Sequence, residues 1–273
     1  MAKKMFDLPT AKNPCAQSLS AIADQLAKYI SHGIDPAQFL AMVVAEANTL
    51  SYTLSQNEMD DPRTKASFAK AAFNAAVVGL LPGPALGHCY FVPYKRNKKA
   101  TNPALKYTEI VYIPGYKGFL ELAFANRFLV QCDPEVVLVG EYVERGHTQD
   151  GPWIKHDIPC PRGQTADRKT VVGVYCTYRT SRGGKGTVYM DRSEIDAIDT
   201  NYNIWLTDYV AMCLKSPIRR AAKRWQITRQ MAAAILLDEA VDADRPQPAL
   251  GPVEDGVGVD TIDLDSLQVP SDE

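Results

Sequence analysis

Between Leu81 and Leu86 the apolar residues of this chain change period, and that change constrains the fold more than any other feature of the sequence. Before it they recur at three- and four-residue intervals, as on one face of a helix. After it they alternate or cluster in short β-branched runs, as on strands. The chain must therefore pack helices and strands together. With 273 residues, 46% of them hydrophobic, it can bury a full-sized core in one large domain or two small ones.

The helical part carries its own punctuation. "AQSLSAIADQLAKYI" (16–30) reads as a helix, and "DPAQFLAMVVAEA" and "DPRTKASFAKAAFNAAVVGLL" each open with Asp-Pro. Asp35 and Asp61 can cap orphan N–H groups, while Pro36 and Pro62 sit where a missing N–H costs nothing. "LPGP" (81–84) is expected to end the last of these helices. Beyond it, "LGHCYFVPY" and "LKYTEIVYI" flank the polar loop "KRNKKATNPA", which predicts a hairpin. "PGYKGFLELAFANRF" predicts a turn into a short helix. "PEVVLVGEYVE", "TVVGVYCTYRT" and "GTVYMD" predict strands, the last two joined by "SRGGKG". Asp191 and Glu194 form a capping-box pattern. A long helical region is expected from about Ile204 to Val241, and residues 242–273 read as a disordered acidic tail.

Charge is unevenly spread. From Asp238 to Glu273 eleven acidic residues accompany one basic residue, a net of −10; the remainder holds 29 basic and 21 acidic residues, a net of +8. A basic body with an acidic tail points to a polyanionic partner. The stretch "KSPIRRAAKRW" (215–225) concentrates this charge. On a helical wheel Leu214, Ile218, Ala221 and Trp225 share one face. Lys215, Arg219 and Lys223 form a second stripe, flanked by Arg220 and Arg224. Ser216-Pro217 could instead start a fresh helix, leaving Lys215 on the preceding segment. Solvated faces normally mix in carboxylates, yet no acidic residue lies between Asp208 and Asp238. Such a face is expected to meet phosphates.

Three further basic elements stand out. "KRNKK" (95–99) follows the aromatics Tyr90, Phe91 and Tyr94, and could equally be a solvated hairpin tip protecting an edge. In "IPGYKG", Lys117 lies between Gly115 and Gly118 at an expected helix N-terminus, a plausible phosphate seat. "YRTSRGGKG" (178–186) does not match a nucleotide phosphate-binding loop and reads as a flexible basic tip.

Enzymatic signals are poor. His88, His147 and His156 show no metal-ligand spacing with the cysteines; His147, His156 and Cys160 could form part of a site, but zinc is the far weaker reading, and no nucleophile-elbow motif is present. Asp191, Glu194, Asp196 and Asp199 could serve a metal-dependent nuclease, but capping and solvation explain them more simply. No metal or cofactor is expected. No stretch has a secretion signal's pattern or the roughly 18 apolar residues of a membrane span. The six cysteines are scattered, which favours reduced thiols in a cytoplasm.

Three blocks taken in order, "AAFNAAVVGLLPGPALGHCYFVPYK", "YIPGYKGFLELAFA" and "WLTDYVAMCLKSPIRRAAKRW", resemble the RecT family of phage single-strand annealing proteins over roughly residues 60–240. Ser216-Pro217 and Arg224-Trp225 depart from the family pattern. The resemblance implies an α+β core in which an antiparallel sheet and packed helices form a basic groove. It also implies ATP-independent annealing of complementary strands in recombination. Homo-oligomers, as rings or helical filaments, follow from it, with a phage exonuclease and a host single-strand binding protein as partner classes in a bacterial cytoplasm. On this view residues 1–60 are a helical region available for oligomer contacts, 61–241 the DNA-binding core, and 242–273 the tail. Backbone contacts suit an annealer, because base edges must stay free to pair. Arg219, Arg220, Lys223, Arg224, Lys215 and Lys117 are the leading phosphate ligands. Lys95, Arg96, Lys98, Lys99 and Lys106 are second-rank. Tyr94 and Tyr116 could stack on bases. The alternatives are a passive single-strand coat and a nuclease. The tail could act as a lid that competes with DNA for the basic surface.

Overall fold

The structure, a computed structural model, describes residues 13–31, 33–99, 101–125, 127–199 and 204–251. They form two compact units. One comprises residues up to Pro114 with those from Ala232 onward; the other is Gly115–Met231. This division cuts across the one expected from sequence.

In the first unit, helices α1 (Pro14–Leu26), α2 (Pro36–Leu50), α3 (Gln56–Asp60) and α4 (Pro62–Val78) precede the antiparallel hairpin β1 (Cys89–Arg96) and β2 (Tyr107–Pro114). Both Asp-Pro starts behave as the sequence indicates. Asp35 accepts from the Ala37 N–H at 3.2 Å and Asp61 from the Arg63 N–H at 2.8 Å. α4 ends earlier than the Pro-Gly-Pro signal, at Gly79, whose φ of +80° turns the chain. A Cβ there would also lie 2.8 Å from the Ser31 hydroxyl.

β2 is almost wholly buried. β1 occupies one of its edges, and side chains satisfy the other at alternate residues. Thr64 donates to the Thr108 carbonyl at 2.7 Å, and the Ile110 N–H donates to Ser67 at 2.8 Å. The Gln247 amide accepts from the Tyr112 N–H at 2.9 Å and donates to the Tyr112 carbonyl at 2.6 Å, in the manner of a neighbouring strand. Gln247, Ala249 and Leu250 are buried. The expected disordered tail is therefore corrected at its start: residues up to 251 belong to this unit. Their polar, Pro-containing sequence hid a strand-edge plug. The rest of the tail, 252–273, lies outside the described residues.

The second unit opens with α5 (Tyr116–Ala125). A three-stranded antiparallel sheet of β3 (Leu129–Leu138), β6 (Val171–Thr180) and β7 (Lys185–Asp191) follows, in the order β3-β6-β7. β4 (Tyr142–Thr148) and β5 (Gly151–Asp157) pair separately as a hairpin. The single sheet expected from sequence is thus replaced, among the described residues, by three small antiparallel ones. The capping box forms as expected at α6 (Arg192–Ile198). The expected helical region from about Ile204 to Val241 is present and is divided into α7 (Ile204–Thr207), α8 (Tyr209–Ala222) and α9 (Arg229–Asp242). The second break begins at Lys223 and contains Trp225, which is buried to 6% exposure. Val136, Leu138, Val174, Met190, Trp205 and Met212 are among the residues packed in this unit's core. Cys132 and Cys176 bring their thiols to 3.3 Å across β3 and β6, while Cys160 is exposed. No helix among the described residues is long and apolar enough to cross a membrane.

Candidate nucleic-acid interface

The basic stretch lies on α8 and the turn after it. Pro217 sits inside a continuous helix rather than starting one, and Ser216 donates to the Met212 carbonyl at 2.9 Å, one turn back. The apolar face is inward as expected: Ile218 and Ala221 are fully buried. The cationic stripe is rotated from its expected position. Lys215 is only 2% exposed, so it leaves the list of surface phosphate ligands. Arg219 is half-buried, and Arg220, Lys223 and Arg224 are exposed.

The absence of nearby carboxylates in the sequence is partly made good in space. Arg220 pairs with Glu194 of α6 at 2.5 Å. Arg224 has no ion-pair partner among the described residues. Cations at this end also complement the partial negative charge of the helix C-terminus, a purely structural contribution. Lys117 occupies the first turn of α5, as expected, exposed and without an ion pair among the described residues. Tyr116, beside it, is half-buried. α5 packs against α8, so both cationic elements belong to one unit.

The hairpin cations divide differently. Lys95, Arg96, Lys98 and Lys106 line one cleft of about 450 Å³, together with Glu58 and Asp61. Lys95 pairs with Glu58, and that ammonium holds the Glu58 carboxyl down at about 2. Arg96 is largely buried and bridges Glu109, at 2.6 Å, and Asp244. Glu109 also receives Lys70 at 2.9 Å. Arg96 is thus a structural cation, a correction to its expected role as a DNA ligand. Its partners lie too far along the chain to be seen locally. Lys98, Lys99 and Lys106 remain exposed. Tyr94 is half-buried on β1, with the Arg96 guanidinium 5.7 Å from its ring centre.

The carboxylates considered for a nuclease are engaged elsewhere. Asp191 caps α6, Glu194 completes the box and holds Arg220, Asp196 meets Arg192 at 2.8 Å, and Asp199 meets Arg168. No group of three metal-ligating side chains occurs among the described residues. His156 is not placed for zinc either: it lies between Glu141 and Tyr175, at 3.0 and 3.2 Å.

The RecT family profile matches residues 21–249, from α1 through the Gln247 plug. The chain belongs to the RecT family. One relative, Protein RecT of Escherichia coli (strain K12), is 27% identical over 179 residues, which is 63% of this chain and 62% of that protein. The likeness therefore spans less than two thirds of that relative's length. The RecT family match extends beyond the motif blocks at both ends, taking in α2 and the segment that closes the edge of β2.

One basic element set aside in the sequence is also exposed. Arg179, Arg182 and Lys185, at the tip joining β6 and β7, have no ion pairs among the described residues. Their triad was legible as charge. Its lack of carboxylate partners was not.

Proposed function

We propose that this chain binds single-stranded DNA through its phosphates and anneals complementary strands in phage-type homologous recombination, without nucleotide hydrolysis. The observation that carries the reading is the RecT family match over residues 21–249. The exposed cations Lys117 and Arg224 support it most directly, and Lys223 is exposed beside them. Arg220, which shares its charge with Glu194, is a weaker contact, with Arg219, Lys98, Lys99 and Lys106 as further phosphate contacts and Tyr116 and Tyr94 as stacking surfaces. Two strands repel through their backbones, so an annealer must neutralise both while leaving base edges free. Base pairing supplies the free energy, and no covalent chemistry is needed. The active form is a homo-oligomer, ring or filament, in a bacterial cytoplasm, with an exonuclease and a single-strand binding protein as partner classes.

The test is a fluorescence-quenching assay with two complementary oligonucleotides. Accelerated annealing without added nucleotide is expected. Binding without acceleration would identify a passive coat instead. Metal-dependent shortening of either strand would identify a nuclease.

A further inference from the structure

The tips of two hairpins meet in the second unit. β4 and β5 turn at Thr148–Gly151, and β6 and β7 turn just before Lys185. Gly151, with a φ of +106°, lies beside the other tip: a Cβ on it would be in ordinary van der Waals contact with the Lys185 carbonyl oxygen, at 3.8 Å. Between the tips is a cleft of about 280 Å³, whose lining includes Trp153, Tyr178, Arg179, Lys185 and Asp150.

Both aromatic residues are seated on glycines. Trp153 faces Gly146 across the β4–β5 pair, where a Cβ would come within 2.9 Å of the indole nitrogen. Tyr178 lies across Gly186, where a Cβ would collide with its hydroxyl. Trp153 is 39% exposed, against 4% for Trp205 and 6% for Trp225. An indole at a hairpin tip adds little to a core from there. It is a rigid, flat surface with apolar faces and a polar edge.

The charges around it are arranged by the sheet. Arg179 and Lys185 are register partners, both exposed, and neither has an ion pair among the described residues. Asp150 lies in the same lining and disfavours a phosphate inside the cleft. Tyr178 links the cleft to the basic stretch: its ring meets Trp225 edge-on at 5.3 Å, and Trp225 directly follows Arg224. Edge protection would account for the cations alone. It does not account for an exposed indole and a tyrosine fitted over glycines on either side of a cleft.

We infer that this cleft is a nucleic-acid contact in which one base of a single strand stacks on Trp153 while Arg179 and Lys185 receive the flanking phosphates. The inference rests on the single-strand binding reading and adds a base site to it. Stacking of this kind tolerates any base, since every base has a π-face. It suits a protein that must hold strands of arbitrary sequence.

The test uses the full chain with oligothymidylate and an abasic oligonucleotide of equal length. Oligothymidylate is expected to quench tryptophan fluorescence in the wild type. Trp153→Phe should lose most of the quench and keep most of the affinity. Trp153→Ala should weaken oligothymidylate binding roughly tenfold, within the range measured for base stacking on aromatic residues. On the abasic oligonucleotide, wild type and Trp153→Ala should bind alike. Arg179→Ala with Lys185→Ala should flatten the salt dependence of binding by about 1.4 log units per log unit of salt. Full quenching in Trp153→Phe, or unchanged oligothymidylate affinity in Trp153→Ala, overturns the cleft while leaving single-strand binding intact. Should Trp153→Ala fail to fold, the quench in Trp153→Phe decides. Failure of the wild type to bind either oligonucleotide overturns both the cleft and the single-strand binding reading.

Discussion

Two hairpins in this chain look alike in sequence and differ in what their cations face. On β1–β2, Lys95 and Arg96 are met by Glu58, Glu109 and Asp244. On β6–β7, Arg179, Arg182 and Lys185 meet no carboxylate among the described residues. By density of positive charge the first hairpin is the better DNA candidate. By charge left unpaired within the protein it is the second. A cation whose field is already met by a buried carboxylate has little to offer a phosphate, and moving it exposes the carboxylate it covers.

The largest expected effect follows from that last point. Glu109 is 3% exposed and holds both Lys70 and Arg96. Glu109→Ala strands two cations and should destabilise the first unit by about 3–5 kcal/mol in chemical denaturation. Arg179→Ala, on the other hairpin, should stay within about 0.5 kcal/mol of wild type. Similar losses for the two would erase the distinction between structural and available cations.

The C-terminal segment gives the next effect. Stopping the chain after Asp244 removes Gln247 and Leu250 and uncovers the edge of β2, at a cost of about 3 kcal/mol. Stopping after Gly251 should leave stability unchanged. It removes seven carboxylates and no cations. If those carboxylates compete with DNA, affinity at low salt should rise, and the gain should fade as the Debye length shortens to about 8 Å. Equal affinities at low salt would rule out the lid.

A smaller effect concerns acid. Burial raises the Glu141 carboxyl, but hydrogen bonds from Arg162, the Leu138 N–H and His156 outweigh it and hold the group at about 2, below its ordinary 4.5. Because the folded value is the lower one, this stabilisation is complete above about 4.5 and is lost as pH falls through about 2. Denaturation midpoints should drop across that window, and Glu141→Gln should flatten the drop. A Glu141→Gln variant with the full acid limb would place the acid sensitivity elsewhere.

What was legible in the sequence was local. Asp35-Pro36, Asp61-Pro62 and Asp191 with Glu194 state their roles within four residues, and the structure honours them. Pro217 left a fresh helix start open as an alternative; the helix runs through it, because a helix-breaking signal can be overridden where packing holds the helix on both sides. The fate of the cations is non-local. Arg96 is met by Glu109, 13 residues on, and by Asp244, 148 residues on; Arg220 is met by Glu194, 26 residues back. Gln247 reads as tail because only the bare edge of β2, far earlier in the chain, gives its amide a task.

The central claim is that cations without carboxylate partners in the fold are the ones that meet DNA phosphates. It is tested most directly by comparing the salt dependence of single-strand binding in two double variants. Lys117→Ala with Arg224→Ala removes two such cations; Arg220 is left in place because Glu194 already holds it. Lys95→Ala with Arg96→Ala removes two that are paired. Circular dichroism first establishes that both variants are folded. The plot of log affinity against log salt should flatten by about 1.4 units in the first variant and keep its wild-type slope in the second. A wild-type slope in the first variant, or equal flattening in both, would contradict the account.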